Sequence, residues 1–556
     1  MLKKAFGGGD VKVLWTSPKE IAHGDATTTV ALELSKKLGT KPRAIAEVLA
    51  KELSHHSSIE KVEIAGAGYV NVWLKPSALI TELHRSRAAC TARVPKKTAR
   101  PVIVEYSQPN IAKPLGVHHL LSTVIGQAIA NLHEHAGQNV IRWNYLGDWG
   151  TQFGKLAVAL EKWGKGKKPR DFAIDELLAL YVKFHDEAEK DPTLEDQARK
   201  TFRALEQGDP HLRNFREDIV AVTKGSLGAL YGRLHVNFDL DLGESFYEDK
   251  MDAILEEGKR KEVFETGEGG ALIVRFPEET GMPPYMVQKS DGATLYSTRD
   301  LAQMRYRIDT YNPEGIYIVT DIAQKLHFEQ LMETCRMLGW KLPDFENVLV
   351  GRMRFADKKM STRKGNILKL EEVLDEAVRR ADTIIADRGD SIQTDDPKEL
   401  SEMMGIGAVV YGILSQNRKM DLVFDWDKML SFEGNSAPYL QYTHARAKSV
   451  LRKSDQQDFS FPKEIKALTE KERVVIGTLL QFQSVLDDAL ETHMPHKLAN
   501  FLYQLSQDYN AFYNGEPILQ ADQAEERALR LALTSLTATV LKTGAELLTL
   551  RVPERM

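Results

Sequence analysis

The tightest constraint on the fold lies between residues 102 and 147. VIVEYS, Val102 to Ser107, is a short β-branched run and reads as a strand. A turn bearing Pro109, Pro114 and Gly116 follows it. Apolar spacing then predicts a helix from about His118 to Glu134, and NVIRWNYLG supplies a second strand and turn. Two strands joined through a helix at this spacing form a βαβ unit, and that crossover requires them to run parallel. A parallel sheet in an α/β domain is therefore expected.

The other segments arrange themselves around that unit. At 556 residues the chain suggests three or four domains of roughly 150 residues. Ala26 to Leu38 has helical apolar spacing, and Pro42 opens a second helical run, Ile45 to Leu53. KVEIA, Lys61 to Ala65, and YVNVWL, Tyr69 to Leu74, alternate like two strands. The basic, Pro-containing stretch Thr91 to Pro101 reads as a linker. Residues 155–230 are charged and helical in pattern around the loop WGKGKKPR. ALIVRF, ATLYST and EGIYIVT are further strand candidates, whereas from about Leu370 helical patterns dominate with almost no strand signal. The expectation is a multidomain α/β protein. It has a small α/β unit over 1–95, a sheet domain over 101–375 with a helical insert at about 155–235, and an all-helical domain over 376–556.

Composition removes several function classes. Lys plus Arg number 74 against 79 Asp plus Glu, a formal net charge of -5, which argues against a histone-like or tail-like basic protein. An RNA partner stays open, because local basic faces matter more than the sum. Two cysteines, Cys90 and Cys335, argue against a disulfide framework or a Cys-rich zinc knuckle and for a reducing compartment. MLKKAFGGGDVKVLW lacks the apolar run of a signal peptide, and no stretch reaches the roughly 18 apolar residues of a membrane span.

Two segments could carry chemistry. In SQPNIAKPLGVHHLLSTVIGQAIANL, Ser107 to Leu132, a strand end leads into a helix whose N-terminus bears His118 and His119. Unpaired backbone N–H groups and the helix dipole favour phosphate there, and Lys113 could add charge. The glycine spacing matches neither a Walker loop nor a dinucleotide fingerprint. In FADKKMSTRKGNILKL, Phe355 to Leu370, Lys358, Lys359, Arg363 and Lys364 crowd a short segment with Ser361 and Thr362. It reads either as a solvated loop or as a mobile clamp for charge developing on phosphorus.

These segments resemble a class I aminoacyl-tRNA synthetase, and specifically the arginyl-tRNA synthetase family. KMSTR is similar to the class signature KMSKS, with Thr362 in place of its second lysine, and NIAKPLGVHHL occupies the position of the HIGH signature. HGDATTTVALELSKKLGTKPRAIA, NYLGDWGTQFG, LYSTRDLA, DIAQKLHFEQ, APYLQYTHARA and the closing PERM match in the family's order across nearly the whole chain. The resemblance implies a Rossmann-like core, an N-terminal domain that meets the outer corner of a tRNA, and a C-terminal anticodon-binding domain. It implies two steps: ATP-dependent formation of arginyl-adenylate, then transfer to the 3′ end of arginine tRNA. ATP would be a substrate with Mg2+ carried on it and no dedicated protein metal site. The enzyme would be a cytoplasmic monomer with no membrane or obligate protein partner.

By motif position the resemblance places Glu105, Asn110 and Gln324 near the backbone groups of arginine. It places Glu244, Tyr296 and Asp300 around its guanidinium, which pairs well with carboxylates in fork geometry. His118, His119, Lys113, Lys359 and Ser361 would be catalytic, and Gly116, His118, His119, Lys359 and Lys364 would meet ATP. Tyr69 and Asn71, with Trp73, would face the tRNA corner, or else Tyr69 and Trp73 serve as core residues. Tyr442, Arg446, Lys448, Asn510 and Tyr513, with Tyr503 nearby, would face the anticodon.

One departure stands out. Aligned on NIAKP, Gly116 replaces the first histidine of HIGH, His118 its glycine, and His119 keeps the second histidine. Three placements are open to His118: crowding the adenine, stacking beneath it, or turning to the phosphates. A lost charge-assisted hydrogen bond costs about 1.5–3 kcal/mol. A catalytically impaired or inactive synthetase-like tRNA-binding protein is therefore the alternative, and a synthetase for another amino acid the third reading.

Overall fold

The structure is a computed structural model and describes residues 13–16, 18, 23–90, 99–355, 369–456, 458–462 and 464–556. At the N-terminus, β1 (Ala26–Thr28), β2 (Ile59–Ala65) and β3 (Tyr69–Leu74) form an antiparallel sheet in the order β1-β3-β2. Helices Val30–Leu38 and Pro42–Leu53 bury Val30, Leu34, Ile45 and Leu49 against Val70. The start of the expected first helix, Ala26 to Thr28, is a strand instead. Thr27 pairs with Asn71 through the ladder and through a side-chain hydrogen bond of 2.7 Å, so pairing outweighs the local helical spacing.

The βαβ unit forms as the sequence predicts. β4 (Val102–Glu105) and β5 (Val140–Asn144) are parallel neighbours, joined through helix His119–His135. β6 (Leu240–Asp241) extends the sheet beyond β5. A small antiparallel sheet of β7 (Phe264–Thr266), β8 (Leu272–Val274) and β9 (Tyr285–Gln288) follows. The chain then returns to the main sheet with β10 (Gly315–Asp321) and β11 (Asp344–Val350), on the other side of β4. The resulting order, β11-β10-β4-β5-β6, reverses direction between β4 and β10. Open α/β sheets bind ligands at the strand ends beside such a reversal.

Strand alternation feeds two cores. Val102 and Val104 face the core shared with helix His119–His135, while Ile103 faces the one containing Trp143, Ile316 and Ile318. Helix His119–His135 approaches the sheet closely at Gly126, where a Cβ would fall inside the Tyr106 side chain. Helices Thr151–Trp163, Ile174–Ala188, Thr193–Glu206 and Pro210–Arg233 make up the insert. Beyond Leu370 the fold is helical and shares its apolar core with β4 and helix His119–His135.

Two local expectations are corrected. ATLYST is no strand: Tyr296 opens helix Tyr296–Tyr311, and the Ser297 and Thr298 hydroxyls donate to the carbonyls of Met286 and Val287 in β9. Backbone pairing of this segment with β9 is limited to an isolated bridge between Thr294 and Gln288. In the helical region, a three-residue strand, β13 (Leu422–Phe424), pairs in parallel with β12 (Met353–Phe355). Among the described residues no helix is long and apolar enough to cross a membrane.

Candidate active site

The segment leaving β4 is held in an uncommon backbone. Ser107, Gln108 and Ala112 have φ of 75°, 52° and 63°. Non-glycine residues in this region cost about 1–3 kcal/mol each and persist only where surroundings enforce them. Here the hydroxyl of Ser107 lies 2.7 Å from that of Tyr231 and accepts from Thr123 Oγ1 at 3.0 Å, while Ala112 N donates to Thr223 Oγ1 at 3.1 Å. Tyr231 and Thr223 sit on helix Pro210–Arg233, so the insert holds the turn that leads to the two histidines.

The carboxyl ends of β4, β10 and β11 open into a cavity of about 660 Å³. Seven of the residues singled out from sequence line it: Glu105, His118, His119, Glu244, Tyr296, Asp300 and Gln324. Three others lie outside its lining. Asn110 pairs with Gly147 and packs over it. Gly116 pairs with Lys369, and the Lys113 ammonium lies 4.9 Å from the Tyr181 ring centroid. Lys358, Lys359, Ser361, Thr362, Arg363 and Lys364 lie outside the described residues.

At one side of the cavity, His118 and His119 open helix His119–His135 with ring centroids 3.9 Å apart. Burial, and then the neighbouring His118, push the His119 pKa down to about 4, so the ring is neutral near pH 7. Its Nδ1 is buried without a hydrogen-bond partner. Burial also lowers the pKa of His118.

At the other side stand carboxylates with partial partners. Glu105 ends β4 and forms a fully buried ion pair with Arg307, and it accepts from Gln108 Nε2 at 2.6 Å and Gln303 Nε2 at 3.3 Å. The Arg307 guanidinium lies 4.4 Å from the Trp143 ring centroid. Asp300 accepts from His327 Nε2 at 2.7 Å, and His327 Nδ1 lies 3.2 Å from the Tyr285 hydroxyl. Tyr296, 61% exposed, stands at the mouth with its ring centroid 5.0 Å from that of His327. Glu244 opens a short 3-10 helix, Glu244–Lys250, and accepts from Arg299 Nη1 at 3.4 Å. Burial raises the Glu244 pKa to about 7 despite Arg299.

Sequence reading missed the residues that hold these groups. Asp148, within the quoted NYLGDWG, accepts from Ser245 N at 2.9 Å, Ser245 Oγ at 2.6 Å and Arg216 Nη1 at 3.0 Å. It thereby pins the segment that begins with Glu244. His327 and Arg299 also lie inside quoted segments, but their partners come from distant parts of the chain, which spacing does not reveal. Among the described residues, four carboxylates line the cavity, Glu105, Glu244, Asp300 and Asp321, against one guanidinium, Arg352, while Arg307, Arg299 and His327 pair with the first three. A cavity with that balance suits a ligand bearing positive charge.

The other candidate surfaces are more uneven. Arg446 lies between the rings of Tyr442 and Tyr513, at 4.6 and 4.9 Å, and donates to Asn510 Oδ1 at 2.5 Å. This cluster borders a second cavity of about 880 Å³ with Arg452 and Lys453. Asn510 is largely buried against Thr443 and Tyr439, and Lys448 pairs with Glu554 at 3.0 Å. In the N-terminal sheet Tyr69 is exposed, but Asn71 is only 4% exposed and its Oδ1 accepts from the Thr27 hydroxyl, so it faces the sheet rather than an external partner.

Comparison with known proteins covers the whole chain. Residues 83–426 match the family described as tRNA synthetases class I (R), catalytic domain. Residues 440–556 match the DALR anticodon binding domain, and residues 1–74 the arginyl tRNA synthetase N terminal domain. The arginine–tRNA ligase of Fusobacterium nucleatum is 39% identical over 535 residues, covering 96% of this chain and 93% of that protein. That of Alkaliphilus metalliredigens is 38% identical, covering 94% and 92%. Among solved structures, the Plasmodium falciparum arginyl-tRNA synthetase aligns with a TM-score of 0.83 and 25% identity, covering 100% of this chain and 97% of that one. The Thermus thermophilus enzyme aligns with a TM-score of 0.81 and 26% identity, covering 100% and 98%.

Proposed function

The chain belongs to the arginyl-tRNA synthetase family and is an arginine–tRNA ligase, and we propose how its pocket residues divide the work. Arginine carries an ammonium and a guanidinium, and the cavity offers carboxylates in two places to receive them. Glu105 and Gln324 receive the backbone end of arginine, with Asn110 on the turn that follows Glu105. Glu244 and Asp300 receive the guanidinium, and Tyr296 covers it from the mouth. The observation that carries this division is the surplus of carboxylates over cations around one cavity.

ATP lies against the N-terminus of helix His119–His135, where backbone N–H groups and the helix dipole favour its phosphates. The neutral ring of His119 can donate one N–H to a phosphate oxygen, and His118 lies beside it. Lys359 and Ser361 of the KMSTR segment, with Lys364 just after it, bring charge and hydrogen bonds. The enzyme supplies no covalent nucleophile. The arginine carboxylate attacks the α-phosphate, pyrophosphate leaves, and the ribose hydroxyl of the tRNA then takes the acyl group. Positioning and charge stabilisation account for the acceleration. Magnesium comes with the nucleotide. The N-terminal domain meets the tRNA corner through Tyr69, and the Tyr442, Arg446 and Tyr513 cluster meets the anticodon, in an enzyme that acts as a cytoplasmic monomer.

The test is arginine-dependent pyrophosphate exchange and aminoacylation with the matching tRNA. His119→Ala is expected to lower kcat about 10- to 200-fold, the range for one lost charge-assisted hydrogen bond, with the arginine KM nearly unchanged. A folded parent enzyme that neither exchanges nor charges overturns the reading.

A further inference from the structure

An arginine of the chain itself stands beside the pocket meant for arginine. Arg299 lies on helix Tyr296–Tyr311 next to Asp300, and its side chain is 11% exposed. Its strong contacts go to Glu248: Nη2 donates at 2.8 Å and Nε at 3.2 Å to the same oxygen. Its contact with Glu244, from Nη1 to Oε2, is 3.4 Å, at the long limit of a hydrogen bond. Glu244 lines the cavity; Arg299 and Glu248 do not. The guanidinium is thus close enough to offset the charge of Glu244 and too far to occupy it.

We propose that Arg299 and Glu248 are positioning residues that set the specificity of the pocket, Arg299 favouring the charged, accepting form of Glu244 and Glu248 keeping Arg299 from closing onto it. The inference rests on the assignment of Glu244 to the substrate guanidinium. A charged carboxylate accepts only, so it pairs with arginine and leaves a neutral ureido isostere such as citrulline poorly matched. A protonated Glu244 would donate as well as accept and would lose that discrimination. The groups that set its charge are Arg299 and Asp300 on the facing helix, Asp148 from the supporting loop, Glu248 on its own helix, and Tyr145, whose hydroxyl burial keeps neutral. Arg299 is the cation among them that lowers the Glu244 pKa.

The two residues have separable signatures. Arg299→Gln is expected to raise the arginine KM about tenfold near pH 7, with recovery at higher pH as Glu244 ionises. The preference for arginine over citrulline should narrow under the same conditions. Glu248→Gln frees Arg299 to fork onto Glu244, so the arginine KM should rise at every pH without recovery, while the ATP KM and kcat stay near the parent values. Arg299→Lys should restore most of the pH behaviour. An Arg299→Gln enzyme that keeps the parent arginine KM and citrulline discrimination overturns the proposal. So does one whose losses fall equally on the ATP KM and do not depend on pH. Glu244→Gln serves as the separate control: an unchanged arginine KM there removes the assignment of Glu244 itself.

Discussion

Two buried charge networks of this enzyme are finished in opposite ways. At the seam between the sheet domain and the C-terminal helices, Arg418 is closed on all sides. It donates to the His493 carbonyl at 2.7 Å, the Leu349 carbonyl at 2.7 Å and Glu346 at 2.8 Å. His493 Nδ1 lies 2.6 Å from Glu346, and its Nε2 lies 3.0 Å from Nε2 of His133 on helix His119–His135. In the pocket, the carboxylates outnumber their cations and the contact between Glu244 and Arg299 is long. The seam is complete without a ligand, whereas the pocket is complete only with one. A fully satisfied buried network fixes one packing; an unsatisfied one stores binding capacity at a cost in stability.

The largest expected effect tests the seam. Arg418→Met removes the side-chain donor to two carbonyls and leaves Glu346 with His493 alone, and should lower stability by about 3 kcal/mol. The measurement is thermal unfolding together with the arginine KM. If the seam is purely structural, the melting temperature falls by several degrees and the arginine KM stays within about twofold. A large rise in arginine KM would erase the distinction between the two networks, since Gly351 N also donates to the Arg418 carbonyl and Gly351 lines the cavity.

The next effect tests the pocket. Asp300→Asn keeps the shape but removes a charge, and kcat/KM for arginine should fall roughly 100-fold, about 3 kcal/mol of transition-state stabilisation. Its melting temperature should hold or rise, unlike that of Arg418→Met. A variant that is both inactive and strongly destabilised would show that Asp300 belongs with the structural charges.

The contrast between these networks was half legible in the sequence. The βαβ unit was legible because apolar alternation and helical spacing are local properties. Asp300 and Tyr296 were legible as a pair, being four residues apart in what is indeed a helix. Their partners were not. Arg299 reaches back to Glu244 and Glu248, Arg307 to Glu105, and Arg418 to Glu346, all across tens or hundreds of residues. Ion pairs of this kind are fixed by tertiary packing and leave no periodic trace. Ala26–Thr28 and ATLYST misled for a related reason. The first is drawn into a ladder by β3, and the second into a helix whose hydroxyls cap the carbonyls of β9. Asn71 was readable as strand but not as buried, because its accepting partnership with Thr27 is a cross-strand event.

The smallest effect is the one that separates the networks by sign. Glu244 has its pKa raised from 4.5 to about 7 by burial, so the folded enzyme holds that proton more tightly than the unfolded chain. Its contribution to stability is whole below pH 4.5 and is lost as pH rises toward about 7. At the seam the order is reversed. Burial lowers the His133 pKa from 6.5 to about 4, and for Glu346 the bonds from His493 and Arg418 outweigh burial and lower it as well. Stability from those groups is present at neutral pH and is lost on acidification, for His133 between 6.5 and about 4. Glu244→Gln should therefore stabilise the fold relative to the parent by about 1–2 kcal/mol at neutral pH, with the gain shrinking toward pH 4.5 while the arginine KM rises. Thermal unfolding of both proteins across that range measures it. A gain that is flat with pH, or a loss at neutral pH, would mean that Glu244 is already fully ionised and satisfied in the empty pocket, and the pocket would then be as closed as the seam.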